Sequence, residues 1–238
     1  MAIAASAAPR GSIDFGRSFT FVGEDPDWLK KVLIGGVFTL ACGILVGLPF
    51  VLGYCSRTLR NVTAGTKPEL PEWDDLGGLF EEGLPLTAVY LIYTLGLFVV
   101  IGAFVAVLVV PMIMASGALS SDKLQEALGA LGAFGMVALY GVVMLLSFAM
   151  ALYLPAALAR AALRGSLGEG FALRENLAFI TANLGNYALA LVSYLLAAFL
   201  AQFGFLLCCV GVFPAAFWSY LVLTSALGQT VRLSAKPA

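Results

Sequence analysis

Long apolar runs alternate with short polar stretches along this chain of 238 residues. The apolar runs lie at 32–55, 84–118, 127–159 and 186–229. A helix that crosses the hydrocarbon core of a bilayer needs about 20 residues, so the second and third runs each predict one transmembrane helix. The fourth run is interrupted by CCVGVFP at 208–214, where glycine and proline favour a turn, and it therefore predicts two.

The first run, residues 32–55, is compatible with either one transmembrane helix or a re-entrant helical hairpin. Its glycines and the GLPF sequence at 47–50 favour a turn. Lysine and arginine concentrate on the cytoplasmic side of membrane proteins. A hairpin leaves twelve of the thirteen Lys and Arg residues on one side and Lys123 on the other, whereas a single crossing divides them eight to five. The distribution favours the hairpin, with both termini cytoplasmic.

These patterns predict an all-α integral membrane protein. We expect a polytopic helical bundle with about four transmembrane helices, an N-terminal re-entrant hairpin and interfacial amphipathic helices. One membrane domain, residues 15–232, lies between a flexible N-terminus (1–14) and a short tail (233–238). Its predicted segments are the hairpin 28–63, an acidic interfacial loop 65–83, transmembrane helices 84–115 and 124–159, an interfacial helix 169–184, and transmembrane helices 185–208 and 212–231.

The composition supports a membrane location and argues against several kinds of chemistry. Hydrophobic residues make up 61% and charged residues 11%, against roughly 45–50% and about 25% in soluble domains. Histidine is absent, which removes the commonest metal ligand and general base. The cysteines lack zinc-finger or CxxC spacing and are interpreted as small core residues: Cys42, Cys55, Cys208 and Cys209. We therefore expect no enzyme activity, no cofactor and no metal.

The acidic loop, residues 65–83, holds six of the fourteen acidic residues: Glu69, Glu72, Asp74, Asp75, Glu81 and Glu82. The main interpretation is a structural loop whose acids pair with Arg57, Arg60 and Lys67. Docking of a partner protein and binding of a divalent cation are the alternatives, although the regular calcium-loop pattern is missing. Asp74 or Asp75 is expected to cap a helix that begins near Leu76.

Glycines at helical spacing predict close contacts between helices. Gly43 and Gly47 form a GxxxG step, and glycines recur at 129, 132 and 135. Packing within the chain is one explanation, and a groove for another subunit is the other. The candidate partner-contact residues are Trp73, Asp74, Asp75, Glu81, Glu82, Gly43, Gly47, Gly129 and Gly132.

Several motifs occur together in an order that is shared with a known family. F-x-F at 19–21 precedes EDPDWLKK, IGG, GY and LRN, and LPEWDD follows at 70–75; ANLGNYAL, CCVGVF and LGQTVR occur near the C-terminus. Over about residues 15–232 the chain resembles the domain-of-unknown-function 4013 family of bacterial and archaeal membrane proteins. The resemblance implies an integral membrane fold and no assigned activity. NLGNY lacks the proline and the acid expected at that turn.

The sequence thus indicates a non-enzymatic protein of the plasma membrane. The favoured function is an accessory or scaffold subunit that packs against other membrane proteins or organises lipid. The alternative is a transporter or channel for a small solute, which would use the Gly/Pro-broken first hairpin. No Asp, Glu, Lys or Arg lies within 84–118, 127–159 or 186–229, which counts against ion-coupled transport. Expected partners are membrane lipid, other membrane subunits or a second copy, and not nucleic acid.

Overall fold

The structure, a computed structural model, describes residues 11–111, 113–114, 122–206 and 210–235. Helices dominate these ranges and no strand occurs within them, which confirms the all-α prediction. The helices are α1 (Phe15–Thr20), α2 (Trp28–Ala41), α3 (Leu48–Ala64), α4 (Leu76–Phe104), α5 (Asp122–Arg164), α6 (Leu167–Gly170), α7 (Leu173–Ala182), α8 (Leu184–Ala201) and α9 (Val212–Ala235). The predictions made for residues 1–10, for Cys208 and Cys209, and for 236–238 lie outside the described residues.

Three helical stretches are long and apolar enough to cross a membrane. They are Leu76–Val107, Gly129–Arg164 and Leu184–Leu206, whose most apolar windows of 18 residues have mean hydropathies of 2.3, 2.2 and 2.0. They overlap the predicted spans at 84–115, 124–159 and 185–208. The fourth predicted span, 212–231, lies within α9 and is not among these three. Serine and threonine on α9 lower its hydropathy, and several of their hydroxyls donate to carbonyls of the same helix.

The first apolar run is broken rather than continuous. Helix α2 ends at Ala41, a short 3-10 segment follows, and α3 begins at Leu48. Leu45 in the turn has a φ of 66°, in the left-handed region. The rings of Phe38 on α2 and Phe50 on α3 stack with centroids 4.6 Å apart, so the chain doubles back. Residues 28–64 therefore form a helical hairpin within the protein.

The described chain contains two compact units, residues 1–89 with 155–238 and residues 90–154. In the first unit α9 is central and packs against α1, α2, α3 and α8. Its apolar side chains Phe217, Leu221 and Val222 are fully buried. This burial explains why α9 tolerates a lower hydropathy than the other long helices, since protein covers much of its surface.

The second unit consists of parts of α4 and α5. Tyr93 and Tyr153 meet within it, with ring centroids 5.5 Å apart and hydroxyl oxygens 3.2 Å apart. Most of its large apolar side chains are exposed, and Phe134 reaches 72% exposure. Apolar exposure on this scale is unfavourable in water and is typical of helices that face lipid or other membrane helices.

Residues 169–184, predicted as an interfacial helix, form the end of α6, all of α7 and the start of α8. Leu173, Leu177 and Leu184 are exposed, whereas Asn176 and Asn183 are buried. The Asn176 amide donates to the carbonyls of Glu169 and Gly170. Polar groups thus hold the segment together inside, and leucines cover its outer side.

Candidate functional site

Ion pairs join the acidic loop to the N-terminal segment, residues 11–27, which precedes α2. The Arg17 guanidinium donates to Glu69 at 2.5 Å and reaches Glu24 at 3.4 Å. Lys67 at the start of the loop donates to Glu24 at 2.7 Å. One arginine therefore bridges two carboxylates, and it joins parts of the chain that are 52 residues apart.

These contacts shift the pKa values of the groups that make them. The hydrogen bond to Glu69 is the main cause that raises the pKa of Arg17, and burial acts against it. The hydrogen bond from Lys67 is the main cause that lowers the pKa of the Glu24 carboxyl. Both shifts favour the charged forms, so the bridge is ionic at neutral pH.

Lys31, at the start of α2, is 2% exposed and neutralised by two acids. Its ammonium lies 2.7 Å from Asp25 and 2.6 Å from Glu72 of the acidic loop. Burial acts to lower the pKa of Lys31, but the hydrogen bonds to these two carboxylates outweigh it and the pKa is raised. A buried lysine that remains charged needs such partners, because removal from water disfavours the charge.

Trp73 of the acidic loop inserts into an aromatic cluster of the hairpin. Its ring stacks on Tyr54 at 4.4 Å and on Phe38 at 4.9 Å, and it lies near Phe217 of α9. The indole N–H donates to the carbonyl of Lys31 at 3.0 Å. Trp73, named above as a candidate partner contact, thus anchors the acidic loop to α2, α3 and α9.

The C-terminal part of the acidic loop pairs with α3 as predicted. Arg57 contacts Asp75 at 2.7 Å and Glu82 at 2.8 Å, and Arg60 also pairs with Glu82. Asp75 caps α4 by accepting the N–H of Gly78 at 2.9 Å. The predicted pairing with Arg57 and Arg60 and the predicted cap are therefore confirmed. The pairing of Lys67 with a loop acid is wrong, because Lys67 reaches Glu24 instead.

The structure also places the remaining partner-contact residues. Asp74 and Glu81 are exposed and form no ion pair within the described ranges. Gly43 is exposed at the hairpin turn with open space around it, and Gly129 is equally open in the second unit; Gly132 is half-buried there. Gly47 lies inside the turn, where a side chain would collide with the carbonyl of Phe38. Whether these residues contact a partner stays a prediction.

A cavity of about 280 Å³ opens where the acidic loop meets the N-terminal segment. It is lined by Phe21, Glu24, Asp25, Lys67, Pro68, Glu69 and Leu70. Glu69 is 8% exposed, and its second carboxylate oxygen, Oε2, has no hydrogen-bond partner. Among the described residues, no group of three acidic, cysteine or histidine side chains is arranged to hold a metal ion.

The N-terminal segment is fastened at a second place. The Asn186 side chain accepts the N–H of Ile13 at 3.1 Å and donates to the carbonyl of Gly11 at 3.0 Å. Gln229 of α9 accepts the N–H of Asp14 at 2.9 Å. Asn186 belongs to the NLGNY motif, so this motif has a structural task even without the proline and acid of the family pattern.

Sequence reasoning missed the roles of Arg17, Lys31 and Asn186. Lys31 comes immediately before an apolar run, and this position was used only to predict the side of the membrane on which it lies. Nothing in the local pattern indicates that its partner Glu72 lies 41 residues away. Arg160, which is buried, likewise shares Glu169 with Arg164 across the turn that follows α5.

The described residues are thus helical apart from turns and loops. Three helices are long and apolar enough to cross a membrane, and ion pairs join the acidic loop to the N-terminal segment. The family model described as "Protein of unknown function (DUF4013)" matches residues 36–210. The chain belongs to this family, and the resemblance drawn from the motifs is confirmed. No curated protein and no solved structure matches the chain.

Proposed function

We propose that this chain is a non-enzymatic integral membrane protein that serves as an accessory or scaffold subunit, packing against other membrane proteins or organising lipid. The observation that carries the proposal is the exposure of its long helices. In the most apolar stretches of Leu76–Val107 and Gly129–Arg164, 6% of the residues are buried within the chain. Most residues of these stretches therefore keep part of their surface open to lipid or to the helices of another subunit.

The acidic loop supports a binding role on the surface. Four of its acids form ion pairs with Arg17, Lys31, Arg57 and Arg60, and these pairs fix the position of the loop. Asp74 and Glu81 project from it without an ion pair among the described residues. A partner with a basic surface would bind these two carboxylates without breaking any ion pair within this chain.

For the membrane topology we propose four transmembrane helices, the fourth within α9, and a re-entrant hairpin formed by α2 and α3. Helix α2 has 14 residues, or about 21 Å, which is shorter than the ~30 Å hydrocarbon core. The hairpin turn is apolar, and Ile44 is 74% exposed there. Contacts of Arg17 and Lys31 with the acidic loop keep both ends of the hairpin together. Both termini are then cytoplasmic, in the plasma membrane.

Cysteine labelling in intact cells tests this topology, in a variant whose native cysteines are replaced. Single cysteines at Ser12 and Thr66, both exposed, should react from the cytoplasmic side, and one at Lys123 from the opposite side. Ile44→Cys separates a re-entrant hairpin from two full crossings. Protection of this position supports re-entry, and labelling from the side of Lys123 contradicts it.

Purification from native membranes in a mild detergent, followed by mass spectrometry, tests the subunit role. We expect a stoichiometric set of membrane proteins to accompany the wild type. The double variant Asp74→Asn/Glu81→Gln should lose them, whereas Glu126→Gln, an exposed acid on α5, should not. A protein that purifies alone or as a homo-oligomer contradicts the subunit role.

The broken hairpin favours a second candidate, a transporter or channel for a small solute. Leu45 interrupts the helices at the turn with its left-handed backbone, and interrupted helices bind solutes through free backbone groups. Solute flux in liposomes that contain the purified chain, and not in empty liposomes, would favour this candidate over the subunit role.

A further inference from the structure

We propose that one exposed face of α5, the outer seam, pairs with the same seam of a second copy of this chain. The outer seam consists of six residues at alternating spacings of four and three: Ala133, Val137, Tyr140, Met144, Ser147 and Ala151. The inference goes beyond the subunit role proposed above, because a pair of copies can bind further subunits through other surfaces. It rests on the exposure of the seam, on its spacing and on two hydroxyl groups without a partner.

All six residues of the outer seam are exposed. Val137, Tyr140 and Met144 keep 69%, 66% and 72% of their surface accessible. On the other side of the same helix, Leu139 and Leu146 are partly buried. The rest of the described chain therefore leaves the outer seam uncovered.

The spacing of the outer seam is typical of a helix that pairs with another helix along its length. Residues at alternating spacings of four and three repeat every 3.5 residues, which gives the left-handed packing common between membrane helices. Half of the seam is small, at Ala133, Ser147 and Ala151. Small side chains let a second helix approach closely, and the larger ones between them fill the remaining space.

Two hydroxyl groups distinguish the outer seam from a surface that faces lipid alone. Tyr140 lies 14 residues after Glu126 and 20 before Arg160, which is about 21 and 30 Å along the helix. Ser147 lies two turns further, still within the apolar stretch. Among the described residues neither hydroxyl has a hydrogen-bond partner. In hydrocarbon, where no water is available, an unpaired hydroxyl is unfavourable.

Other hydroxyls of the long helices are satisfied within the chain. Thr87 donates to the carbonyl of Gly83, and Ser193 donates to the carbonyl of Leu189. A tyrosine has no such choice, because its hydroxyl stands at the end of a rigid ring far from its own backbone. The acceptor for Tyr140 therefore comes from another molecule.

A second copy supplies that acceptor at the right depth. Copies of one chain insert in the same orientation, so a two-fold axis along the membrane normal makes their α5 helices parallel. Equivalent residues of two parallel helices face each other in such a seam. Tyr140 then meets Tyr140 of the second copy, and Ser147 meets Ser147. A hydroxyl both donates and accepts, so two identical hydroxyls satisfy each other.

Cysteine cross-linking in native membranes tests the proposal, in a variant whose native cysteines are replaced. With copper phenanthroline as the oxidant, Ser147→Cys should form a disulfide-linked dimer. Leu145→Cys is the control, because Leu145 is equally open, at 69% exposure, but lies on another side of the helix; it should remain monomeric. Cysteines whose Cα atoms are more than about 7 Å apart do not bridge.

Three results of this experiment would overturn the proposal. Equal cross-linking of Ser147→Cys and Leu145→Cys would indicate random collision of copies. Absence of cross-linking at both positions would indicate that lipid covers the seam. A disulfide between Ser147→Cys and a protein of different mass would assign the seam to another subunit.

Matched variants then test the hydroxyl groups. The dissociation constant of the dimer is measured by Förster transfer between labelled copies in phosphatidylcholine liposomes. It should rise roughly three- to twentyfold in Tyr140→Phe/Ser147→Ala, because hydrogen bonds between helices are lost. Ser193→Ala, whose hydroxyl donates within α8, should leave it within about twofold. An unchanged constant in the double variant would contradict the pairing of hydroxyls.

The result is separate from the test of the subunit role. A dimer that purifies without other proteins contradicts the subunit role and supports the pairing of copies. A monomer that purifies with other membrane proteins supports the subunit role and overturns the pairing.

Discussion

Gly53 on α3 and Gly83 on α4 each press against the backbone of the other helix. A Cβ atom on Gly53 would overlap the carbonyl oxygen of Leu79, and one on Gly83 would overlap the carbonyl oxygen of Pro49. Backbone atoms cannot rotate away as a side chain can, so only glycine fits at either position. The contact holds the helix that follows the acidic loop against the hairpin.

Replacement of Gly83 by alanine should therefore destabilise the protein. We expect Gly83→Ala to lower the free energy of unfolding by about 1–3 kcal/mol or more, as overpacking does in other tightly packed interiors. Gly96→Ala on the same helix is the control, because a Cβ there meets nothing within 4 Å. Chemical unfolding in detergent, followed by circular dichroism, measures both. Equal stability of the two variants would show that the helices separate without penalty.

The buried pair of Lys31 and Asp25 gives a second prediction. Lys31→Met leaves the Asp25 carboxylate, 4% exposed as a side chain, without its closest buried counterion. We expect a loss of about 3–5 kcal/mol in the free energy of unfolding, as found when one partner of a buried ion pair is removed. Thermal unfolding followed by tryptophan fluorescence measures it.

Two further variants make that result specific. The double variant Lys31→Met/Asp25→Asn should recover much of the loss, because neither position then holds an unpaired buried charge. Lys30→Met changes the neighbouring lysine, which is exposed and forms no ion pair within the described ranges, and should be nearly neutral. A double variant no more stable than Lys31→Met would contradict the role of the pair.

The pH dependence of stability follows from Glu24 and Asp75. The hydrogen bond from Lys67 lowers the pKa of Glu24, and that from Arg57 lowers the pKa of Asp75. A lowered pKa in the folded state stabilises the protein above the ordinary pKa and loses this effect as the pH falls through the folded value. These groups should thus have no effect on the thermal unfolding midpoint near neutral pH. Below about pH 4.5 the midpoint should decrease, because the carboxylates become protonated. Lys67→Met should make that fall shallower, and Lys30→Met should not; identical profiles would argue against the Lys67–Glu24 contact.

The hydrogen bonds of Asn186 are expected to hold the N-terminal segment against α8. Asn186→Leu removes the hydrogen bonds to Gly11 and Ile13, and two such bonds contribute about 1 kcal/mol each. Trypsin cleavage after Arg17 should become roughly thirtyfold faster, since cleavage follows the population of the open segment. Gln202→Leu, an exposed amide whose bond stays within its own helix turn, is the control. Cleavage at the wild-type rate in Asn186→Leu would mean that other contacts hold the segment.

Much of the architecture could be predicted because it depends on short stretches of chain. The apolar runs predict the long helices, Asp75 two positions after Trp73 predicts the cap of α4, and the glycines with GLPF predict a break between α2 and α3. The nearness of Arg57 to the acidic loop in the sequence made their pairing predictable as well. Each of these depends on neighbours within one or two turns of helix or one loop.

The candidate site could not be predicted to the same extent. Gly43 and Gly47 were expected to pack helices, and Gly47 does approach the carbonyl of Phe38 on α2, but Gly43 lies in open space. Other close contacts use glycines that were not predicted, namely Gly35, Gly36, Gly53, Gly83 and Gly228. Every glycine offers the same absence of a side chain, and only the arrangement of the helices decides which of them another backbone approaches. The same holds for Trp73, whose type indicates an interface but whose ring packs between Phe38 and Tyr54.

By itself the sequence determined that this chain is helical, that several of its helices are long and apolar enough to cross a membrane and that its acids gather in one loop, because hydropathy and helix capping act locally along the chain. The tertiary structure decided which charges meet. Arg17 meets Glu69, and Lys31 meets Glu72, only when α2 and α3 fold into the hairpin and pack against α9. Electrostatic attraction depends on distance in space, and that distance is set by the packing of helices remote in sequence.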